Sequence, residues 1–309
     1  MAVTTEMIKA LRETTGAGVL DCKRALEFSD GSIERAVAYL NEKGLAAAAK
    51  KASREANDGL VSLHVDGDGR LGVVLEVNCE TDFVARTEDF RILAEALLNQ
   101  IGEETDVADV ATLLTRPYGL DRKITVAERL TQLVAKLGEK MAVRRFARVR
   151  RDGDGWVEGY VHPGNRIGVL LHLSAGSPLV PEAGAMRGEY CQNVAGSAAF
   201  RDLVHNLALQ VAAASPQYVA PSDIPVAQLE AERARYKAQV ADEKKPDHLK
   251  ERIIAGKLEK WYEAVCLLRQ PFVKDDSVRV GDLIGRKSQQ WGVPLLVEGF
   301  IRYELGADE

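Results

Sequence analysis

Residues 60–90 read LVSLHVDGDGRLGVVLEVNCETDFVARTEDF. Apolar side chains alternate through Leu60-Val61-Ser62-Leu63-His64-Val65 and again through Leu71-Gly72-Val73-Val74-Leu75-Glu76-Val77. Between them lies Asp66-Gly67-Asp68-Gly69, the turn chemistry of a β-hairpin. A helix then opens at Thr87, whose hydroxyl is a natural N-cap, with Glu88 and Asp89 in the first turn. Phe90, Leu93, Leu97 and Ile101 recur on one helical face. An antiparallel hairpin followed by a helix that covers it defines an α+β architecture. The residues between strand and helix, Glu80 to Ala85, must turn a corner.

Toward the N-terminus the pattern is helical. Thr5 can cap a first helix that breaks at Gly16-Ala17-Gly18, Val19 to Phe28 forms a second, and Ser29-Asp30-Gly31 breaks the chain again. A third, Ser32 to Lys43, carries Ile33, Ala36, Val37 and Leu40 on one face and is expected to stop at Gly44. Leu45 to Arg54 reads as a helical linker. Three short helices make a very small domain, the kind that binds something. Toward the C-terminus, Thr125 and Glu128 form a capping box for a helix expected to bury Leu130, Leu133, Val134, Leu137 and Met141.

A similar order of elements then recurs, without residue identity. Strands are expected at Val143–Val149, Trp156–Val161 and Ile167–Leu173, joined by Asp152-Gly153-Asp154-Gly155 and Pro163-Gly164-Asn165. A helix follows with Phe200, Leu203, Val204, Leu207 and Val211, ending near Ser215-Pro216. Residues 226–268 form a charged helical hairpin, broken at Lys244-Lys245-Pro246-Asp247, and the alternating strand Leu295–Leu305 closes the second sheet. The expected division is a helical domain and linker over 1–54, a core unit over 55–142 and a second core unit over 143–309 that the hairpin interrupts.

The 309 residues are 46% hydrophobic and 28% charged, with 41 Lys and Arg against 46 Asp and Glu, a net charge of −5. A mildly acidic chain of globular composition does not suit a protein that works by neutralising nucleic-acid phosphates. Cys22, Cys79, Cys191 and Cys266 lie far apart with no CxxC pair, which fits neither a disulfide framework nor a zinc ribbon. No apolar run reaches the ~18 residues of a membrane span, and the N-terminus lacks a signal-peptide core. These features point to a cytoplasmic protein.

Motifs for chemistry are weak. Gly67, Gly69 and Gly72 satisfy G-x-G-x-x-G, but a second strand follows where a dinucleotide site needs a helix, and Asp66 and Asp68 would repel phosphate. There is no Walker A sequence, and Arg70 sits where a calcium loop needs an oxygen ligand. His64, His162, His172, His205 and His248 show neither metal-ligand nor catalytic-triad spacing. No cofactor or metal is therefore expected. The informative segment is Glu76 to Ala85. Phe83 at the corner has three readings: an aromatic folded into the core, a bystander to an acid–base pair of Glu80 and Asp82, or a protruding wedge beside a carboxylate, built to enter a partner's groove.

Asn78-Cys79-Glu80-Thr81-Asp82-Phe83-Val84-Ala85 resembles the signature of bacterial elongation factor Ts, the nucleotide-exchange factors of the translation GTPase elongation factor Tu. Other stretches are similar to that family, in the same order along nearly the whole chain. They are Leu11-Arg12-Glu13, Thr15-Gly16-Ala17-Gly18, Asp21-Cys22-Lys23-Arg24-Ala25-Leu26, His162 with Arg166-Ile167-Gly168-Val169-Leu170, Val211-Ala212-Ala213-Ala214-Ser215-Pro216, Gln270-Pro271-Phe272-Val273 and Gly299-Phe300-Ile301-Arg302-Tyr303-Glu304. Residues 176–197 look like an insertion, Pro163 intrudes after His162, and the chain stops soon after Gly306, without a further helical module.

The resemblance implies an exchange factor without bond-making chemistry, whose N-terminal helices form a ubiquitin-associated-like (UBA-like) domain. It implies that Thr81, Asp82, Phe83 and Val84 meet the GDP-bound GTPase and displace its Mg²⁺. Arg12, Val19 and Leu20 would dock on the nucleotide-binding domain, and His162 on a different domain of the same partner. No membrane and no direct nucleic-acid contact is implied. The alternative is a non-catalytic scaffold that binds protein through its N-terminal helices.

Overall fold

The computed structural model describes residues 3–151, 155–175, 197–241 and 245–307. The expected turn at 152–154, the segment 176–196 and Lys244 lie outside the described residues. Three helices open the chain. The first, α1 (Thr5–Thr15), is capped by Thr4 rather than Thr5: the Thr4 hydroxyl accepts the Met7 N–H at 3.2 Å. It ends at Gly16, whose φ of 67° is the left-handed conformation that glycine adopts freely. The second, α2, spans Val19–Phe28 and the third, α3, Ile33–Lys51. Leu11, Cys22, Ala25, Leu26 and Ala36 form their shared core.

The expected stop at Gly44 does not occur. Gly44 lies inside α3, where it faces the helix Val126–Leu137; a Cβ there would sit 3.6 Å from both the Ala135 Cβ and the Thr131 Cγ2. Glycine costs a helix interior about 1 kcal/mol relative to alanine. Here a Cβ would make only ordinary contact, and the packing of the helix on its neighbour overrides the local signal. The Leu45–Lys51 stretch is consequently the second half of one continuous helix.

The hairpin forms as its alternation requires. Strand β1 (Asp58–Val65) pairs antiparallel with β2 (Leu71–Cys79), Leu60 opposite Val77 and Val65 opposite Gly72. A one-turn helix, α4 (Asp82–Ala85), turns the corner into α5 (Glu88–Glu103), which Thr87 caps. After α6 (Val110–Thr115) comes a short hairpin, β3 (Pro117–Tyr118) with β4 (Asp121–Thr125). Helix α7 (Val126–Leu137) carries the Thr125–Glu128 capping box. It stops at Gly138, so Met141 is not its last apolar residue but the first of β5 (Met141–Arg150). Grouping this strand with those that follow it, as element order suggested, is also corrected: β5 pairs with β2, completing a sheet of order β1-β2-β5.

The second sheet has order β10-β7-β6, from β6 (Gly155–Val161), β7 (Ile167–Ala175) and β10 (Leu295–Glu304). Between β7 and β10 come α8 (Ala198–Ala214), the two arms of the helical hairpin, α9 (Val226–Gln239) and α10 (Asp247–Val265), then β8 (Pro271–Phe272), β9 (Asp275–Arg279) and α11 (Val280–Trp291). The two sheets pack face to face over Val61, Val74, Val157 and Leu170. Their outer faces are covered by helices: Val73, Leu75 and Val77 meet Phe90, Leu93, Leu97 and Leu133, while Val169, Leu171 and Leu173 meet Phe200, Leu203, Val204 and Leu207. This makes four layers. The central strand β2 is buried on both faces, which is why its sequence runs apolar almost without interruption.

The halves repeat more closely than their residues suggest. From β3 to the start of β5, Pro117, Tyr118, Val126, Gly138 and Met141 correspond without insertion to Pro271, Phe272, Val280, Gly292 and Leu295. Each half holds its short hairpin by a buried glutamine. The Gln100 amide donates to the Pro117 carbonyl (2.8 Å) and accepts the Gly119 N–H (3.1 Å). Gln210 does the same for the Pro271 carbonyl (3.2 Å) and the Val273 N–H (2.7 Å). The helical hairpin leaves and rejoins this second half at one place, where Tyr218 and Cys266 form a parallel bridge and the Leu267 N–H reaches the Tyr218 carbonyl at 2.9 Å.

Candidate functional site: a clamped aromatic corner

Strand β2 ends at Cys79, opposite Met141 of β5, and the backbone ladder stops there. Side chains carry the pairing two steps further. The Glu80 carboxylate accepts the Lys140 N–H at 2.6 Å, and the Glu139 carboxylate accepts both the Thr81 N–H (3.0 Å) and the Thr81 hydroxyl (2.6 Å). The Arg54 guanidinium, just beyond α3, reaches Glu80 at 3.3 Å, and the Lys140 ammonium donates to the Arg54 carbonyl at 2.7 Å. The Lys140 N–H, helped by Arg54, holds the Glu80 carboxyl below its ordinary range. Beneath the corner the buried Cys79 thiol donates to the Thr81 carbonyl, 3.0 Å away. Burial, with Glu139 nearby, pushes that thiol up to about 12.

Thr81 caps α4, its hydroxyl accepting the Val84 N–H at 3.4 Å. The four residues of the helix divide sharply. Val84 and Ala85 point into the core. Asp82 pairs with Arg86 at 2.8 Å. Phe83 is 81% exposed, the most exposed large apolar side chain among the described residues. The core reading of Phe83 is therefore wrong. The acid–base reading also loses its reagents, because Glu80 is committed to Lys140 and Arg54, and Asp82 to Arg86. What remains is an unsupported aromatic ring on a rigidly held corner, with a carboxylate beside it.

The other sequence-predicted residues occupy different elements. Arg12 near the end of α1 and Val19 and Leu20 at the start of α2 flank the Thr15–Gly18 turn, all three exposed, Leu20 at 70%. His162 is exposed at the end of β6, where its carbonyl accepts the Asn165 N–H at 3.0 Å and its Nδ1 lies 3.0 Å from the Tyr160 hydroxyl. Within the corner, Val84 is buried, and Thr81 gives its hydroxyl and N–H to Glu139. Glu139, Lys140 and Arg54 escaped the sequence reading. Pairing β5 with β2 would have found the first two, since that register sets Thr81 beside Glu139.

Comparison with known proteins places the chain in one family. The profile of the family described as "Elongation factor TS" matches residues 80–307, which include the corner and both sheets' later strands. The chain is 41% identical over 304 residues to elongation factor Ts of Clostridium novyi (strain NT), covering 98% of this chain and 93% of that protein. It is 39% identical over 306 residues to elongation factor Ts of Clostridium botulinum (strain Alaska E43 / Type E3) and to that of Clostridium kluyveri (strain NBRC 12016), with the same coverages of 98% and 93%.

Proposed function

The chain belongs to the elongation factor Ts family, and from that premise we propose how it acts on its partner. It is a guanine nucleotide exchange factor for elongation factor Tu in translation elongation. It engages the GDP-bound GTPase in the cytoplasm, makes and breaks no bond itself, and contacts neither nucleic acid nor membrane. Asp82 and Phe83 enter the partner beside its nucleotide site, disturb the Mg²⁺ there and loosen GDP. The observation that supports this is the corner itself, with a phenyl ring almost wholly in water on a backbone fixed from three sides. Arg12, Val19 and Leu20 of the 1–54 unit, which we read as UBA-like, grip the nucleotide-binding domain, and His162 grips another domain.

Magnitudes require more than the ring. Burying one phenylalanine is worth about 1.5–3 kcal/mol, roughly ten- to a hundredfold in an equilibrium. Shifting a two-state partner by about 10⁴ needs ~5.5 kcal/mol of differential binding. Loss of the Mg²⁺–phosphate interaction and the wider docking surface supply the difference. The coupling is reciprocal, so incoming nucleotide weakens the factor's hold by the factor it is itself weakened, and the complex comes apart.

Phe83→Ala tests this in a stopped-flow release assay with fluorescent GDP on elongation factor Tu. The variant should fold normally, since its side chain touches no core, and release should slow at least tenfold, about 1.4 kcal/mol. Release at the wild-type rate would remove the wedge. Tight binding by the wild-type chain without faster release would instead favour the scaffold reading.

A further inference from the structure

We propose that Glu139 is a positioning residue of the exchange reaction: by holding the N–H and the hydroxyl of Thr81 together, its carboxylate aims Phe83 out of the domain. The inference rests on the reading of Phe83 as the inserting side chain and supplies the group that sets its direction.

Helix α4 is a single turn of four residues, far too short to hold its own shape in water. An exposed phenylalanine has no packing to orient it either, so its direction is inherited from the backbone. One side of that backbone is anchored inward by Val84 and Ala85. The other side begins at Thr81, and Glu139 holds it. The Thr81 hydroxyl donates to Oε1 of Glu139 and thereby turns a lone pair toward the Val84 N–H that it caps. The Thr81 N–H goes to Oε2 of the same carboxylate. Two donors on one residue call for a group with two acceptor oxygens and no donor, which among side chains is an ionised carboxylate. Glu80 answers from the opposite strand by taking the Lys140 N–H, so the turn that carries Glu139 is itself tied to the corner.

A corner held this way loses little freedom when Phe83 inserts, and ordering a free loop at that moment would weaken the complex in which nucleotide leaves. Misplacing an inserting group by even an ångström is costly in rate. Glu139 therefore acts on the release step rather than on docking, which belongs to surfaces on α1, α2 and β6.

The test uses the full-length chain with elongation factor Tu loaded with fluorescent GDP, measuring release over a range of factor concentrations. Glu139→Ala should lower the maximal release rate about tenfold while moving the half-saturating concentration less than about twofold. Glu139→Gln, which keeps one acceptor but opposes the Thr81 hydroxyl with an amide N–H₂, should fall between, and serves if the alanine variant folds poorly. Combined with Phe83→Ala, neither should cause further loss, because both act through the same ring. A ¹⁹F spectrum of 4-fluorophenylalanine incorporated at Phe83 should show a shifted or broadened line in Glu139→Ala. Wild-type release by Glu139→Ala, or a full tenfold loss added to that of Phe83→Ala, overturns the positioning role. Normal release by Phe83→Ala overturns the wedge reading, whereas slow Phe83→Ala beside normal Glu139→Ala leaves the wedge standing and removes only the role of Glu139.

Discussion

At the scale of the residue, the corner joins opposites: the most exposed aromatic ring among the described residues stands four positions from a wholly buried thiol. Cys79 is closed in by its own strand, donates to Thr81 and titrates near 12, so at pH 8 almost none of it is the nucleophilic thiolate. Cys266, raised to about 11 chiefly by burial, behaves the same way. Both should therefore remain unmodified when the native protein is treated with iodoacetamide at pH 8 and its peptides are weighed, and both should label fully in guanidinium. Rapid native labelling of Cys79 would mean that the corner opens. The sequence could place Phe83 at a bend but not decide which way it faced, because Val84, one residue on, is as apolar and goes inward. Burial of one neighbour and exposure of the other depends on where a one-turn helix is pinned, and the pin, Glu139, lies in a turn far along the chain.

At the scale of the element, local chemistry was legible where a few adjacent residues suffice. The capping box at Thr125, the cap at Thr87 and the hairpin turn at Asp66–Gly69 all form as their side chains dictate. Elements set by distant partners were not. Gly44 looked like a helix end because glycine usually is one, yet it lies inside α3 where that helix packs on α7. The buried glutamines are the same kind of feature: nothing around Gln100 or Gln210 announces that each amide satisfies two backbone groups of a hairpin many residues away. Gln210→Leu should remove the partner of the Pro271 carbonyl, the Val273 N–H and the buried Gln270 Oε1 and lower stability by about 1–3 kcal/mol, the cost of leaving a buried polar group unpaired. Urea unfolding would measure it, and an unchanged midpoint would show that water replaces the amide.

At the scale of the whole molecule, the α+β class and the existence of two similar halves could be read in advance, but the assignment of β5 could not. Its neighbours in sequence and its partner in space are different strands, and no periodicity distinguishes them. The N-terminal helices are likewise less separate than their composition implies: α3 lies along α7, Ala48 packs on the main core, and Arg54 reaches the corner. Docking through the N-terminal unit should consequently depend on the α3–α7 seam. Gly44→Leu would force the two helices apart, enlarge the molecule in small-angle scattering and raise the half-saturating concentration for exchange about tenfold, ~1.4 kcal/mol, while sparing the maximal rate. That is the opposite signature to Glu139→Ala. A Gly44→Leu variant with normal size and affinity would mean that the seam does not orient the unit.

The bridge between Tyr218 and Cys266 gives the protrusion of α9 and α10 the character of a plug-in cassette. Its two roots sit side by side, braced by a cluster of Ile224, Val265, Trp261 and Tyr262, and Arg279 of β9 holds Glu259 and Glu263 on the last turns of α10. Adding or removing whole turns from both arms beyond the Glu259 pairs therefore alters reach while leaving the bridge at Tyr218 and Cys266 and the layers beneath it in place.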